Sequence, residues 1–581
     1  MQQFAGARYI WEFPEQDHER ATQLSAQFNL SYPLSQTLIS RGFTNPEQIQ
    51  SFLFSSAELD VHHPSLLKDS QKAVQRIITA IERQEKILVF GDYDVDGITS
   101  SAMMMSCLVP LGAQVHFYLP HRIHDGYGLS KKIVERAANN KFKLIITVDN
   151  GIAAFEAAEH AQQRLIDLII TDHHRPHDHV PPAYAIVNPH QHDCTYPYKM
   201  LAGVGVTFKI LSLLYETVGK TLPAKVYELL LLGTVADVVP LTGENRYWVR
   251  HGLLQINEYE SASLSVLKRN AQFNKPALSS TDIGYSITPQ INALGRLDDP
   301  QSGVKFLIGI DEAIIDQVGQ QLFTLNQARK EIERSIVLEI ENKVAAGLIN
   351  MSQENILIDS SANWPAGVIG LVASRMVGNY GKPAILLHIT DQGIAKGSCR
   401  SIPAFNMFEA LQQMADLLLS FGGHAMAAGL SLPVENIPLL KQRLEELIAQ
   451  QLTPADFRKK ITIDAQVSLR DINKKLCDDM HYLEPFGSEN RQPLFFIPQV
   501  VLVQRPQLLK KLHVKCAIFA DGVVKPLIFF NSPEVYDYLV AQEDKPFNVA
   551  AYVTQNFWQD RMHIELTGVD VASSATKEQS P

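Results

Sequence analysis

Between residues 86 and 190 short apolar runs alternate with helix-like stretches. The runs are KILVF (86–90), QVHFYL (114–119), KLIITV (143–148), DLIIT (167–171) and YAIVN (184–188). GLSKKIVERAANN and AAFEAAEHAQQRL lie between them. Strands that alternate with helices predict βαβ units and a mostly parallel sheet. The pattern also says where to look for chemistry, because ligands of such sheets bind beyond the carboxyl ends of the strands.

Acidic and imidazole groups recur at that edge. GDYDVDG follows the first run and carries Asp92, Asp94 and Asp96. Three carboxylates this close repel one another and are costly to desolvate unless a cation sits among them. A turn accounts for one Asp, but not easily for three. Asp149 ends the third run, in TVDNG, and Asp172, His173 and His174 end the fourth, in IITDHH. Asp237, in LLGTVADVVPL, ends a later apolar helical run. Singly, each has a plain reading: a turn for Asp149, a strand cap or loop packing for the histidines, a cap for Asp237. Together they point to a metal site. Carboxylates with imidazole suit Mn²⁺ and other borderline cations better than an all-oxygen Mg²⁺ cage. The ligand count is generous for one ion and natural for two. Adjacent histidines on an extended chain tend to point in different directions, so His173 and His174 are expected to have different roles.

At 581 residues the chain exceeds a single core, and three or four domains are expected. Residues 1–50 read as a small helical segment, with a Pro near a helix start in RGFTNPEQIQSFL. Residues 51–310 hold the α/β pattern and a helical extension. From 311 to 346 there is no proline, and Ile314, Val318, Leu322, Leu325, Ile332, Ile336 and Ile340 fall near a helical period. One helix of that length reaches about 50 Å, enough to join two lobes. Residues 347–452 read as a second α/β lobe, and 453–572 as strand-like runs forming a small barrel or sandwich. SSATKEQSP (573–581) reads as a disordered tail.

Composition sets the compartment expected. Hydrophobic residues make up 46% and charged residues 20%, as in ordinary soluble proteins. No apolar run approaches the roughly 20 residues that span a bilayer, and MQQFAGARYIWEFPEQ lacks the features of a signal peptide. Five scattered cysteines without a C-x-x-C pair fit a reducing cytosol. A cytoplasmic protein without a membrane partner is expected. The formal charge of −10 does not advertise a nucleic-acid binder. Acidic metal ligands lower that number, however, while bound ions reverse the local sign.

GDYDVDG, TVDNG, TDHH and GTVADVVPL, in this order, resemble the four motifs of the DHH phosphoesterase superfamily. LAGVGVTFK, INALGRLDDP, WPAGVIGLVASR, GSCRS and FGGHAMAAG narrow the resemblance to the RecJ family of single-stranded-DNA-specific 5′→3′ exonucleases, over nearly the whole chain. The resemblance implies an α/β protein: a DHH-type parallel β-sheet lobe, a long connecting helix, a DHHA1 α/β lobe and a C-terminal OB-like β-barrel. It implies that Asp94, Asp96, Asp149, His173 and Asp237 ligate two divalent cations, Mn²⁺ ahead of Mg²⁺, with Asp149 bridging. Asp92 and His174 would complete or orient that shell, and one histidine would reach the scissile phosphate. Arg122, Arg296, Ser398 and Arg400 would contact the DNA backbone or a 5′-phosphate. His424 would bind phosphate, in the reading that sets Gly422-Gly423-His424 at a helix N-terminus; close helix packing is the other reading.

In the tail, Lys510, Lys511, His513 and Lys515 form a basic cluster, and Phe529, Phe530 and Trp558 are either stacking platforms or core. The implied partner is single-stranded DNA, with a single-strand-binding protein and a helicase as further candidates, and the implied state is a monomer. Two other functions compete. One is a DHH phosphodiesterase of short oligonucleotides or cyclic dinucleotides, whose members generally lack the β-rich C-terminal domain. The other is a non-catalytic DNA-binding replication scaffold, against which the complete ligand motifs speak.

Overall fold

The computed structural model describes residues 2–574 apart from 123, 124, 127, 310, 543, 544, 559 and 560, and the side chains of 556–558, 561 and 562. Residues 575–581, most of the expected tail, and the Trp558 side chain lie outside the described residues.

In the first lobe, strands β1 (Lys86–Phe90), β2 (Gln114–Tyr118), β3 (Phe142–Val148), β4 (Asp167–Thr171) and β5 (Ala185–Val187) form a sheet in the order β2-β1-β3-β4-β5. All four pairings are parallel. The central strands are buried on both faces, which is why they read as unbroken apolar runs. From β1 the chain crosses to β2 on one side and then returns to β3 on the other. That reversal opens a crevice between the ends of β1 and β3, where GDYDVDG and Asp149 lie. Helices α1 (Val95–Leu108), α2 (Gly203–Thr217), α3 (Lys225–Ala236) and α4 (Thr288–Leu297) pack around it.

The expected connector is one helix, α5 (Glu312–Ala345), of 34 residues, about 50 Å at 1.5 Å per residue. Asp311 caps it by accepting from the Ala313 N–H. Ile315, Val318 and Leu322 pack into the first lobe's core, and Ile336, Val337 and Ile340 pack with Trp364 and Val372 into the second. In the second lobe the strands run in the order 420–423, 427–433, 394–400, 384–389, 357–361, and helix α6 (Ile369–Tyr380) covers them. Only the 357–361/384–389 pairing is parallel.

Ladder closure decides between barrel and sandwich at the C-terminus. Strands 494–502, 547–558, 561–573, 523–529 and 513–520 pair successively. Val501 opposite Phe519 and Leu502 opposite Ile518 then close the ring. Phe529 points into this barrel and is wholly buried, so it is core and not a stacking platform.

The helical expectation for residues 1–50 needs a correction. Helices occupy 18–28, 32–40 and 46–53, but Gln2–Ala5 and Ile10–Phe13 are strands of an antiparallel hairpin. The second strand pairs in parallel with Lys460–Thr462. Trp11 and Phe13 alternate inward against Ile463 and Leu494. Asp570 accepts from the backbone N–H of Arg8 and Tyr9 (3.1 Å each) and from Trp11 Nε1 (2.8 Å). Four-residue strands are too short to announce their period, and the strand that completes their sheet lies hundreds of residues away.

Candidate active site

The acidic loop after β1 is shaped by the helix that follows it. Asp94 caps α1, accepting from the Gly97 N–H at 3.1 Å. Asp92 Oδ1 accepts from the Tyr93 N–H at 2.7 Å. A Cβ on Gly97 would lie 2.5 Å from the Asp92 backbone N and O, so this turn closes only over a glycine. Asp96, in the first turn of α1, accepts from the Gly203 and Val204 N–H groups, both at 2.7 Å. A buried carboxylate thus satisfies two of the orphan donors at the start of α2. Gly203 in turn abuts Asp149: a Cβ there would lie 2.5 Å from Asp149 Oδ1. Asp149 has a φ of 61°, unusual for a residue other than glycine, and its N–H donates to Thr171 O at 3.0 Å. The neighbouring strand end and α2 hold it there.

The two histidine rings lie side by side, 4.5 Å between centroids, but meet different partners. His173 Nε2 lies 3.2 Å from Asp149 Oδ1 and 3.5 Å from Asp237 Oδ2. All three atoms are buried without a hydrogen-bond partner among the described residues. His174 instead bonds through Nδ1 to Asp172 Oδ1 at 2.8 Å. Asp172 is buried and also accepts from the N–H groups of Ile152 (2.9 Å), His173 (2.7 Å) and His174 (3.1 Å). Three sets of donor atoms fall within 4.8 Å of one another: Asp149/His173/His174, Asp96/His173/Asp237 and Asp92/Asp94/Asp149. Asp149 and His173 each belong to two sets.

Electrostatics tell the same story. Burial, then mutual repulsion, holds Asp92, Asp149 and Asp237 well above the ordinary carboxylate range. The same causes bring Asp96 to about 7, despite its two backbone donors. Burial and the neighbouring His174 push His173 down to about 4, which leaves it a neutral imidazole suited to a cation. Burial works against charge on His174, but its bond to Asp172 and the charges of Asp172, Asp92 and Asp94 raise it to about 9. Orphaned donor atoms with too much negative charge fit divalent cations.

A cleft of about 400 Å³ opens over these groups, lined by Asp92, Asp94, His174 and Asp237 on one side and Arg122, Asn292 and Arg296 on the other. The Arg122 guanidinium lies 5.1 Å from the Tyr93 ring centroid. Arg296, on α4, donates to Gly367 O in the second lobe at 2.9 Å. Burial and repulsion from Arg122, Arg329 and Arg400 lower it to about 10, still charged at neutral pH. Arg400 donates to Ser398 Oγ (3.1 Å) and Ser374 Oγ (3.0 Å). Ser398 and Arg400 both lie against Gly370, in the first turn of α6. Cations and a helix N-terminus therefore gather where the lobes meet, a setting for a phosphate.

Not every candidate joins this cluster. FGGHAMAAG is a β-hairpin, 420–423 paired with 427–433, so the expected helix N-terminus beside His424 is absent. The imidazole is exposed at the hairpin tip. Lys510, Lys511, His513 and Lys515 lie on a separate face of the barrel, where His513 meets the half-exposed Phe530 at 5.5 Å between rings. Two contributors went unassigned in the sequence. Asp172 tethers His174, and Asn292 accepts from the Val95 N–H at 3.3 Å and faces the cleft. Asn292 stands four residues before Arg296, a helical spacing that puts both on one face.

Comparison with known proteins covers all three parts. Residues 86–234 match the DHH family, N-terminal domain, 353–450 the DHHA1 domain and 463–570 the RecJ OB domain. The single-stranded-DNA-specific exonuclease RecJ of Bacillus subtilis is 35% identical over 97% of this chain and 71% of its own. Its Escherichia coli counterpart is 36% identical over 78% of this chain and 82% of its own. The Thermus thermophilus RecJ structure in complex with Mn²⁺ superposes with a TM-score of 0.83 at 25% identity, covering 98% of this chain and 80% of that one. A RecJ exonuclease bound to manganese gives a TM-score of 0.59 at 30% identity over 67% of this chain and 96% of that one.

Proposed function

The chain belongs to the RecJ family of single-stranded-DNA-specific exonucleases, and from that premise we propose that it hydrolyses single-stranded DNA from the 5′ end, releasing 5′-mononucleotides with two divalent cations. The observation that carries this reading is the convergence of Asp149 Oδ1, His173 Nε2 and Asp237 Oδ2, buried and unpartnered, beside a cleft walled by arginines. In this reading Asp92, Asp94, Asp96, Asp149, His173 and Asp237 hold the cations, with Asp149 bridging; Mn²⁺ is preferred and Mg²⁺ accepted. Such ions supply Lewis acidity and a nucleophilic water at neutral pH.

The chain's own groups do the rest. Asp172 fixes the His174 ring by its Nδ1 bond, so that His174 faces the scissile phosphate from the cleft wall. Arg122, Arg296, Ser398 and Arg400 hold the terminal phosphate and set the strand's direction, since only an end of the strand carries one. His424 meets the strand from its hairpin tip, outside that pocket. The C-terminal barrel favours long strands over dinucleotides, and the intact donor set speaks against a non-catalytic scaffold. In this reading the enzyme acts in recombination and repair as a cytoplasmic monomer, on strands exposed by a helicase or covered by a single-strand-binding protein. Among the described residues no helix is long and apolar enough to cross a membrane.

The test is a long 5′-phosphorylated single strand labelled at either end, with Mn²⁺, Mg²⁺ or chelator. Immediate mononucleotide release from the 5′ label, with a shortening ladder from the 3′ label, is expected with metal alone. An inert strand in the presence of folded, metal-loaded protein would redirect the search to dinucleotides.

A further inference from the structure

A second cavity, of about 490 Å³, adjoins the catalytic cleft and shares Ala236, Asn292 and Arg296 with it. It runs toward the barrel, with Val238 and Tyr285 on the first lobe, Arg329 on α5, and Phe486 and Arg491 at the approach to the barrel strands. Its walls are mostly apolar, but three arginines reach it. Tyr285, Thr288, Asn292 and Arg296 line these cavities at helical spacing, so one face of a single helical element passes from the metal centre into the second cavity.

Tyr285 sits in a π-helical turn, Ile283–Ile287, that leads directly into α4. Such turns are rare and frequently mark functional sites. Ile283 and Ile287 are wholly buried, whereas the Tyr285 ring between them is 82% exposed. The chain therefore holds a large aromatic face in the groove from a well-anchored turn.

We infer that Tyr285 is a stacking platform for one base of the DNA strand, a few nucleotides in from the 5′ end. This rests on the proposed function. Continuity with the catalytic cleft identifies the occupant as the downstream strand, and the arginines suit its phosphates. Stacking on an aromatic face tolerates any base, as an enzyme that digests every sequence requires. Eleven helical positions separate Tyr285 from Arg296, about 16 Å at 1.5 Å per residue. At a rise of about 3.4 Å per nucleotide, that places the stacked base no more than about five nucleotides from the end.

The experiment is an abasic walk on the full-length protein. A 5′-phosphorylated oligonucleotide carries one abasic site, moved a nucleotide at a time from the 5′ end. Affinity is measured in chelator, so that nothing is cut, for the wild type, Tyr285→Ala and Tyr285→Trp. In the wild type one position weakens binding about 5- to 150-fold, the range for one stacked base. Tyr285→Ala loses that factor on the intact strand and shows no further loss at that position, while Tyr285→Trp keeps the wild-type profile. Identical abasic profiles for wild type and Tyr285→Ala, with the intact strand bound, would overturn the Tyr285 assignment alone. Failure of the wild type to bind the intact strand would overturn it together with the single-strand reading.

Discussion

At the residue scale, the site is a set of carboxylates that the fold crowds together against their own repulsion. Asp149→Ala removes the group shared by two donor sets, so hydrolysis is expected to fall to background while the fold persists; turnover and bound metal, measured on the same sample, check this. Arg400→Ala takes away one of the proposed phosphate contacts. It is expected to weaken DNA binding and to reduce the slope of log affinity against log salt by about one, with metal binding unchanged. The crowding also has a pH signature. Asp96 moves from 3.8 to about 7 on folding, and Asp92, Asp149 and Asp237 move in the same direction. The folded metal-free protein therefore takes up protons that the unfolded chain does not. The stability Asp96 contributes is complete below about pH 4 and is lost as pH rises through about 7, and the other three act in the same direction. Bound cations remove the repulsion, so the gap in melting temperature between Mn²⁺-loaded and chelated protein should widen from pH 4 to 7. A constant gap would count against the metal assignment.

At the element scale, α5 is what makes two lobes one site. Its first half is packed in one core and its second half in another, and Thr324 lies exposed between them. Thr324→Pro removes a backbone hydrogen bond and costs the helix about 3 kcal/mol or more. Mn²⁺ binding, which the proposed reading places in the first lobe, should survive, and DNA hydrolysis should fall as Arg400 loses its register with Arg296; a metal-binding isotherm and a turnover assay separate the two. This helix was legible in the sequence because 34 residues of helical period are a local signal, and so was the acidic edge of the sheet, where Asp149 and Asp172 directly follow apolar runs. Asp172 and Asn292 were harder to assign, because what they hold, Ile152 and Val95 among others, is brought to them only by the fold. The FGGHAMAAG hairpin was misread as a helix start because its run of small residues has no period of either kind.

At the scale of the whole molecule, the N-terminal hairpin ties the first residues to the last domain. Deleting residues 2–13 strips Asp570 of three hydrogen-bond donors and uncovers Ile463 and Leu494. A buried carboxylate left unsatisfied costs about 1–3 kcal/mol or more. Calorimetry should show the barrel melting earlier and the catalytic lobe unchanged; an unaltered barrel transition would mean that the hairpin is ornamental. The pairing of Ile10–Phe13 with Lys460–Thr462 also carries a cost in time. A ribosome emits the hairpin first and its partner strand roughly 450 residues later, which at about 5–20 residues per second is some 20–90 s. By the end of that interval Trp11 and Phe13 wait beside a nascent chain whose catalytic lobe has already been synthesised. Whatever keeps two short sticky strands from the wrong company during translation is part of how this enzyme is made.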